Sequence, residues 1–128
     1  MEIADKAFRG EVEIVSSDYV KFEVEQILDP SKRKDVRGFE RTLSSINVQS
    51  SRSLIALARE FSARCNVNAL DALHISAACL GEAGFFITCD DDIVDKRACI
   101  EKLAAEREYR LKVRNPIDYV WERWRVKL

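Results

Sequence analysis

Three carboxylates stand in an unbroken row, Asp90-Asp91-Asp92, directly behind the apolar run Gly84-Phe85-Phe86-Ile87-Thr88. Adjacent like charges repel, and a solvated loop carries acids at lower cost when they are spread out. Two further acids lie beside apolar segments: Glu23, about two turns beyond the β-branched run 12–17, and Asp71, at the start of the apolar segment 69–80. Carboxylates gathered at one place are held by a cation, and the usual holder with oxygen ligands is Mg2+ or Mn2+. The chemistry that uses such a group is metal-assisted phosphodiester hydrolysis, in which the ion polarises the phosphate and generates hydroxide. Each acid also has a structural reading. Asp91 or Asp92 serves as a helix N-cap, Asp71 complements a helix dipole, and Glu23 belongs to a solvated helix face. His74, the sole histidine, packs in a core as readily as it acts as a base.

The elements that must position these side chains follow from periodicity and punctuation. Residues 3–9 read as the end of a helix closed by Gly10. Residues 12–17 form a strand, and Ser17 opens a helix through Leu28 with Val20, Val24, Ile27 and Leu28 on one face. Asp29-Pro30 starts the next helix, with Val36, Phe39 and Leu43 inward. Residues 46–49 suggest a strand. Helix 51–64 places Leu54, Leu57, Ala58 and Phe61 at 3–4 spacing, and helix 69–80 follows. A strand over 84–89, a helix over 91–106 and a strand over 110–114 come next. Asn115-Pro116 then begins a helix with Ile117, Val120, Trp121 and Trp124 on one stripe. Strands alternating with helices imply parallel β-α-β units and a sheet covered on both faces. In such a sheet sites form beyond the carboxyl ends of the strands, so Glu23, Asp71 and Asp90 are expected to converge in one crevice.

Bulk properties exclude several classes. Residues 1–128 are expected to form a single domain. The composition, 47% hydrophobic and 34% charged, is that of an ordinary globular protein. Twenty-one basic and 22 acidic residues leave a net charge of -1, which gives no global reason to expect a polyanion partner. The basic run Lys32, Arg33, Lys34, Arg37 reads as a solvated helix face. Cys65, Cys79, Cys89 and Cys99 show no CxxC spacing and no ligand pattern for zinc, and Cys79 in an apolar helix with Cys89 at a strand end suits reduced thiols in a reducing compartment. With no signal peptide and no apolar run near the length of a membrane span, the expected location is cytoplasmic.

The stretch "LDALHISAACLGEAGFFITCDDDIV" resembles the signature half of the PIN domain, the metal-dependent ribonuclease fold found in the toxins of toxin–antitoxin modules. The pattern is an Asp-Ala-Leu-His helix, a spacer of about one helix, then an apolar strand running into Thr-Cys-Asp-Asp. The likeness extends back through "GEVEIVSSDYVKFEVEQILDP" and forward to "LKVRNPIDYV". The resemblance implies a three-layer α/β/α fold with a mostly parallel central sheet of order 3-2-1-4-5. It also implies Mg2+ or Mn2+ as the cofactor, RNA as the substrate and an antitoxin protein as a partner. The family's acidic residues fall on Glu23, Asp71 and Asp90, with Asp92 as the fourth, and His74 and Thr88 match positions that line the same pocket.

One departure stands against these matches. The family opens with a strand ending in an aspartate, followed by a helix, whereas this chain opens at Met1 inside that helix. The expectation is an N-terminally truncated PIN-like protein that retains at most three of its carboxylates and has impaired activity. The alternative is a catalytically silent PIN-like binding module, and a start codon lying further upstream is a third possibility. Without the central strand, strands 12–17 and 84–89 pair directly or leave a gap. A homodimer is then expected to cover the exposed edges, with Trp121, Trp124, Ile3 and Phe8 as the covering residues.

Overall fold

The computed structural model describes residues 14–17 and 24–124. The expected helix at 3–9, Ile3, Phe8, residues 18–23 with Glu23 among them, and the side chains of Phe39, Leu43 and Trp124 lie outside this description. The described elements run β1 (Ile14–Ser17), α1 (Pro30–Leu43), β2 (Ser44–Val48), α2 (Arg52–Cys65), α3 (Ala69–Leu80), β3 (Phe85–Ile87), α4 (Asp91–Asp95), α5 (Arg97–Glu106), β4 (Lys112–Arg114) and α6 (Pro116–Trp124).

The fold is α/β, and both strand pairings are parallel. β1 pairs with β2 in the register Val15↔Ile46, Ser16↔Asn47 and Ser17↔Val48, with an irregularity between Ile14 and Val15. β3 pairs with β4 as Phe85↔Lys112, Phe86↔Val113 and Ile87↔Arg114. Parallel neighbours need a long crossover; α1 lies in the crossover of the first pair, and α4 and α5 form that of the second. The pairs do not join among the described residues: they are two separate two-stranded sheets, not one. Of the two arrangements expected for strands 12–17 and 84–89, direct pairing is not the one found. Helix α3 packs against both β1 and β3, and so serves as a common platform.

Caps explain where the best-defined helices begin. Ser51 is extended and its hydroxyl accepts a bond from the Leu54 N–H at 3.1 Å, opening α2. Asn66, left-handed at φ 55°, closes it, as asparagine tolerates that conformation better than most residues. Asn68 opens α3 through its side chain. Along α2, Leu54, Leu57, Ala58, Phe61 and Cys65 are buried. Of these, Leu57, Ala58, Phe61 and Cys65 meet Ala72, Ile75, Ala78 and Cys79 of α3, Ile100, Leu103 and Ala104 of α5, Leu111, and Val113 of β4 in one core. Each fully buried Leu, Ile or Phe here is worth about 1.5–3 kcal/mol relative to exposure.

Several expectations need correction. Ser17 ends β1 and is buried, at 2% exposure; the helix expected to open there falls on residues outside the description. The following helix has stopped by Gln26, so Leu28 is 95% exposed and not inward-facing. The cause is Asp29-Pro30: the residue before proline avoids the helical region, and Asp29 Oδ1 instead accepts bonds from the Ser31 and Lys32 N–H groups at 2.9 and 3.3 Å. The strands around 84–89 and 110–114 are shorter than expected. Helix 91–106 is broken at Lys96 into α4 and α5. In α6 the inward face is Tyr119 and Val120, whereas Ile117 and Trp121 are 60% and 48% exposed. The Tyr119 ring meets Phe85 edge-on, with centroids 4.8 Å apart, and this contact turns the helix about one residue from the expected stripe.

Candidate metal centre

Asp71 and Asp90 occupy corresponding places, each at the start of a helix and each held by a backbone bond. Asn68 caps α3: its Oδ1 accepts from the Asp71 N–H at 2.9 Å, while its Nδ2 donates to Asp71 Oδ2 at 2.6 Å. This is a reciprocal capping arrangement with an Asn-x-x-Asp sequence. Asp90 caps α4: its Oδ1 accepts from the Asp92 N–H at 2.9 Å. The Thr88 hydroxyl in turn accepts from the Asp90 N–H at 3.0 Å, which fixes the turn out of β3. The N-cap is therefore Asp90 itself, and the expectation that Asp91 or Asp92 would fill that role is overturned; those two lie in the first turn. In each aspartate one carboxylate oxygen is committed and the other has no partner among the described residues.

The remaining residues divide clearly. Asp92 is held by Lys96, Nζ to Oδ2 at 3.0 Å, and the same ammonium donates to the Asn66 carbonyl at 2.7 Å. This bond joins the loop that leads into α3 to the first turn of α4, and so connects the two elements that carry Asp71 and Asp90. His74 lies half-buried one turn beyond Asp71, and Thr88 is half-buried as well. Glu23 lies outside the described residues. Among the described residues no three His, Cys, Asp or Glu gather closely enough to hold a metal ion. The donor chemistry of Asp71, Asp90 and Asp92 nevertheless fits a hard divalent cation, which takes carboxylate oxygens and keeps several waters.

Sequence reasoning missed two residues that shape this region, Asn68 and Lys96. Both left a signal: Asn68 precedes Asp71 at capping distance, and Lys96 follows Asp92 at i,i+4, where a helical ion pair is expected. It also missed the disulfide. Cys65 and Cys99 are bonded, with Cα atoms 5.6 Å apart, and tie the end of α2 to the first turn of α5. The reduced-thiol expectation holds for Cys79, which is buried, and Cys89, which is exposed. Burial pushes the Cys79 thiol up to about 12.

A separate cavity of about 490 Å³ lies among α5, the end of β4 and α6, lined by Arg97, Glu101, Arg114, Asp118, Trp121 and Glu122. None of Asp71, Asp90 or Asp92 lines it. Its centre is a closed ion-pair set: Arg114 Nη1 meets Glu101 Oε2 and Arg114 Nε meets Glu122 Oε2, both at 2.9 Å.

A family model for the PIN domain matches residues 1–98, a range that includes Glu23, Asp71, Asp90, Asp92 and Lys96 and ends in α5, short of the "LKVRNPIDYV" stretch. No curated protein and no solved structure matches the chain. PIN domains form a nuclease-type α/β family associated with RNA, and they generally use divalent metal ions. No described helix is long and apolar enough to cross a membrane. With parallel β-α-β units and a match over most of its length, this chain belongs to the PIN domain family.

Proposed function

We propose that this protein is a toxin-type endoribonuclease dependent on Mg2+ or Mn2+, with Asp71 and Asp90 as the principal ion ligands. Asp92 is a further ligand once its carboxylate is released from Lys96, and Glu23 is a ligand or the base that orients water. The observation that carries the reading is the shared geometry of Asp71 and Asp90: each lies at the start of a helix, with one oxygen fixed by a hydrogen bond and the other without a partner among the described residues. A bound ion would polarise the scissile phosphate and supply hydroxide. Thr88 fixes the Asp90 turn, and Asn68 fixes Asp71. The ion is held by few carboxylates, so the activity is low, because Mg2+ sheds water reluctantly and demands near-octahedral geometry.

The test is cleavage of single-stranded RNA with Mn2+. Weak metal-dependent cleavage, lost in Asp71→Asn and in Asp90→Asn, is the expected result. Cleavage that persists in chelator, or that survives both substitutions, refutes the assignment. A catalytically silent PIN-like binding module is the second reading; RNA binding without cleavage at any Mn2+ concentration would select it. Residues 1–128 act as one domain, located in the cytoplasm, with RNA as substrate and an antitoxin protein as partner. The exposed Ile117 and Trp121 support a homodimer, which light scattering at high micromolar concentration tests directly.

A further inference from the structure

We propose that the Lys96 ammonium is a tethered cation that keeps Asp92 from the divalent ion and so sets the affinity of the site; the inference rests on Asp71 and Asp90 being its ligands. The Lys96 Nζ lies 2.7 Å from the Asn66 carbonyl oxygen and 3.0 Å from Asp92 Oδ2. A carboxylate oxygen and a backbone carbonyl oxygen are the donor types that a hard cation takes. Here an ammonium from the chain itself occupies the place between them.

An exposed i,i+4 ion pair alone would be an ordinary helix-surface contact with little consequence. Three features set this one apart. The second acceptor, Asn66, lies 30 residues away in sequence, at the end of another helix. That acceptor is fixed, since Asn66 is the left-handed cap of α2 and its neighbour Cys65 is bonded to Cys99. The Lys96 backbone is fixed as well, standing at the break between α4 and α5 with its N–H bonded to the Ile93 carbonyl at 3.0 Å. The ammonium side chain is 25% exposed against 75% for Asp92, so the cation is the better sheltered partner.

Asp92 is also bound to the ion-ligand region, because its N–H donates to Asp90 Oδ1. A positive charge bonded to Asp92, two residues along the chain from Asp90, repels a divalent ion twice as strongly as a monovalent one. While Lys96 holds Asp92 Oδ2, that oxygen is withdrawn from coordination. Removing the ammonium therefore acts twice in the same direction: it lifts a repulsion and releases a ligand. The opposing effect, loss of the strap between Asn66 and α4, is small where Asn66 and the Lys96 backbone are each held by other bonds.

Mn2+ binding, read from loss of the free-ion signal in electron paramagnetic resonance, tests this without any catalytic assay. The proteins are wild type, Lys96→Met, Lys96→Gln, Lys96→Arg, Asp90→Asn and the double variant Lys96→Met/Asp92→Asn. Lys96→Met and Lys96→Gln should each tighten Mn2+ binding about tenfold, and Lys96→Arg, which keeps the charge, should not. The gain should fall below about threefold in the double variant, where no ligand is released. Weaker or unchanged binding in both neutral variants, with Asp90→Asn still abolishing it, overturns the role of Lys96 and leaves Asp90 as a ligand. Absence of Mn2+ binding in every protein, the neutral variants included, refutes the metal-centre reading and this inference with it.

Discussion

Removing the disulfide should cost this fold a large part of its stability. Cys65 and Cys99 are separated by 34 residues, and closing a loop of that length in the unfolded chain corresponds to about 3.8 kcal/mol at 25 °C on the chain-entropy account. The other ties between the same two helices do not replace it. Arg64–Glu106 and Arg107–Glu60 each close at 2.6 Å, but exposed pairs of this kind contribute about 0–1 kcal/mol. Urea unfolding of wild type, oxidised and reduced, and of Cys65→Ser/Cys99→Ser is the assay. With a denaturant slope of ~1.5–2 kcal/mol/M for a chain this size, the midpoint should fall by about 2 M on reduction, and the double variant should match the reduced wild type. Oxidised and reduced proteins with coincident midpoints, or four titratable thiols in the air-oxidised protein, would refute the reasoning. A reducing cytoplasm would withdraw this contribution, so the core around Phe61, Ile100 and Leu103 must then hold α2 to α5 alone.

Three further outcomes are expected. Gly81→Ala should destabilise by about 1–3 kcal/mol, because a Cβ there would lie 2.7 Å from Val15 Cγ1 and 3.0 Å from Val48 Cγ2, wedging α3 off both β1 and β2; an unchanged thermal midpoint would count against that approach. Iodoacetamide at pH 8 should label Cys89 in the native oxidised protein and leave Cys79 untouched, since burial lifts the Cys79 thiol to about 12 and only thiolate reacts; peptide mapping that finds both labelled would show that α3 opens. Glu60, Glu106 and Glu122 are held below the usual carboxylate value of 4.5 by hydrogen bonds from Arg107, Arg64 and Arg114 respectively. A depressed folded value means the stabilisation is present above pH 4.5 and lost as pH falls through the folded value, so the thermal midpoint should drop as pH falls below 4.5 and drop less in Arg107→Leu; equal drops in wild type and Arg107→Leu would sink the idea.

The parts of the fold that were legible in the sequence are those whose signals are local. Helices α2 and α3 were placed to within a residue because both are apolar segments of helical length, and in α2 the apolar residues recur at helical spacing. The parts that were not legible depend on neighbours distant in sequence. Leu28 fits the apolar stripe of the preceding helix, but Asp29-Pro30 claims the chain first. Lys96 reads as one more helical residue until the Asn66 carbonyl and the turn between α4 and α5 are seen. The face of α6 is set by Tyr119 against Phe85, a contact no periodicity contains. Cys65 and Cys99 carry no spacing signature, since what brings them together is the packing of α2 on α5. At the candidate site the acids were legible and their duties were not. Three consecutive aspartates cap a helix about equally well by type, and the choice of Asp90 is made by where β3 stops and by the Thr88 hydroxyl.

That choice also shows that capping and ion binding are not rival readings of Asp90. A helix start concentrates N–H donors and favours negative charge, so it is a place where crowded carboxylates are least costly. A backbone bond to one oxygen then orients the other, and a pre-oriented ligand loses less freedom when an ion arrives. The two duties separate by substitution. Asparagine caps a helix about as well as aspartate does, whereas alanine in its place costs about 1 kcal/mol. Asp90→Asn should therefore leave the thermal midpoint within about 2 °C of wild type while removing Mn2+ binding, and Asp90→Ala should lose both. Circular dichroism melts beside Mn2+ titrations decide the matter. If Asp90→Asn retains wild-type affinity for Mn2+, the carboxylate serves the helix alone and the crowding of acids behind β3 has no purpose beyond the cap.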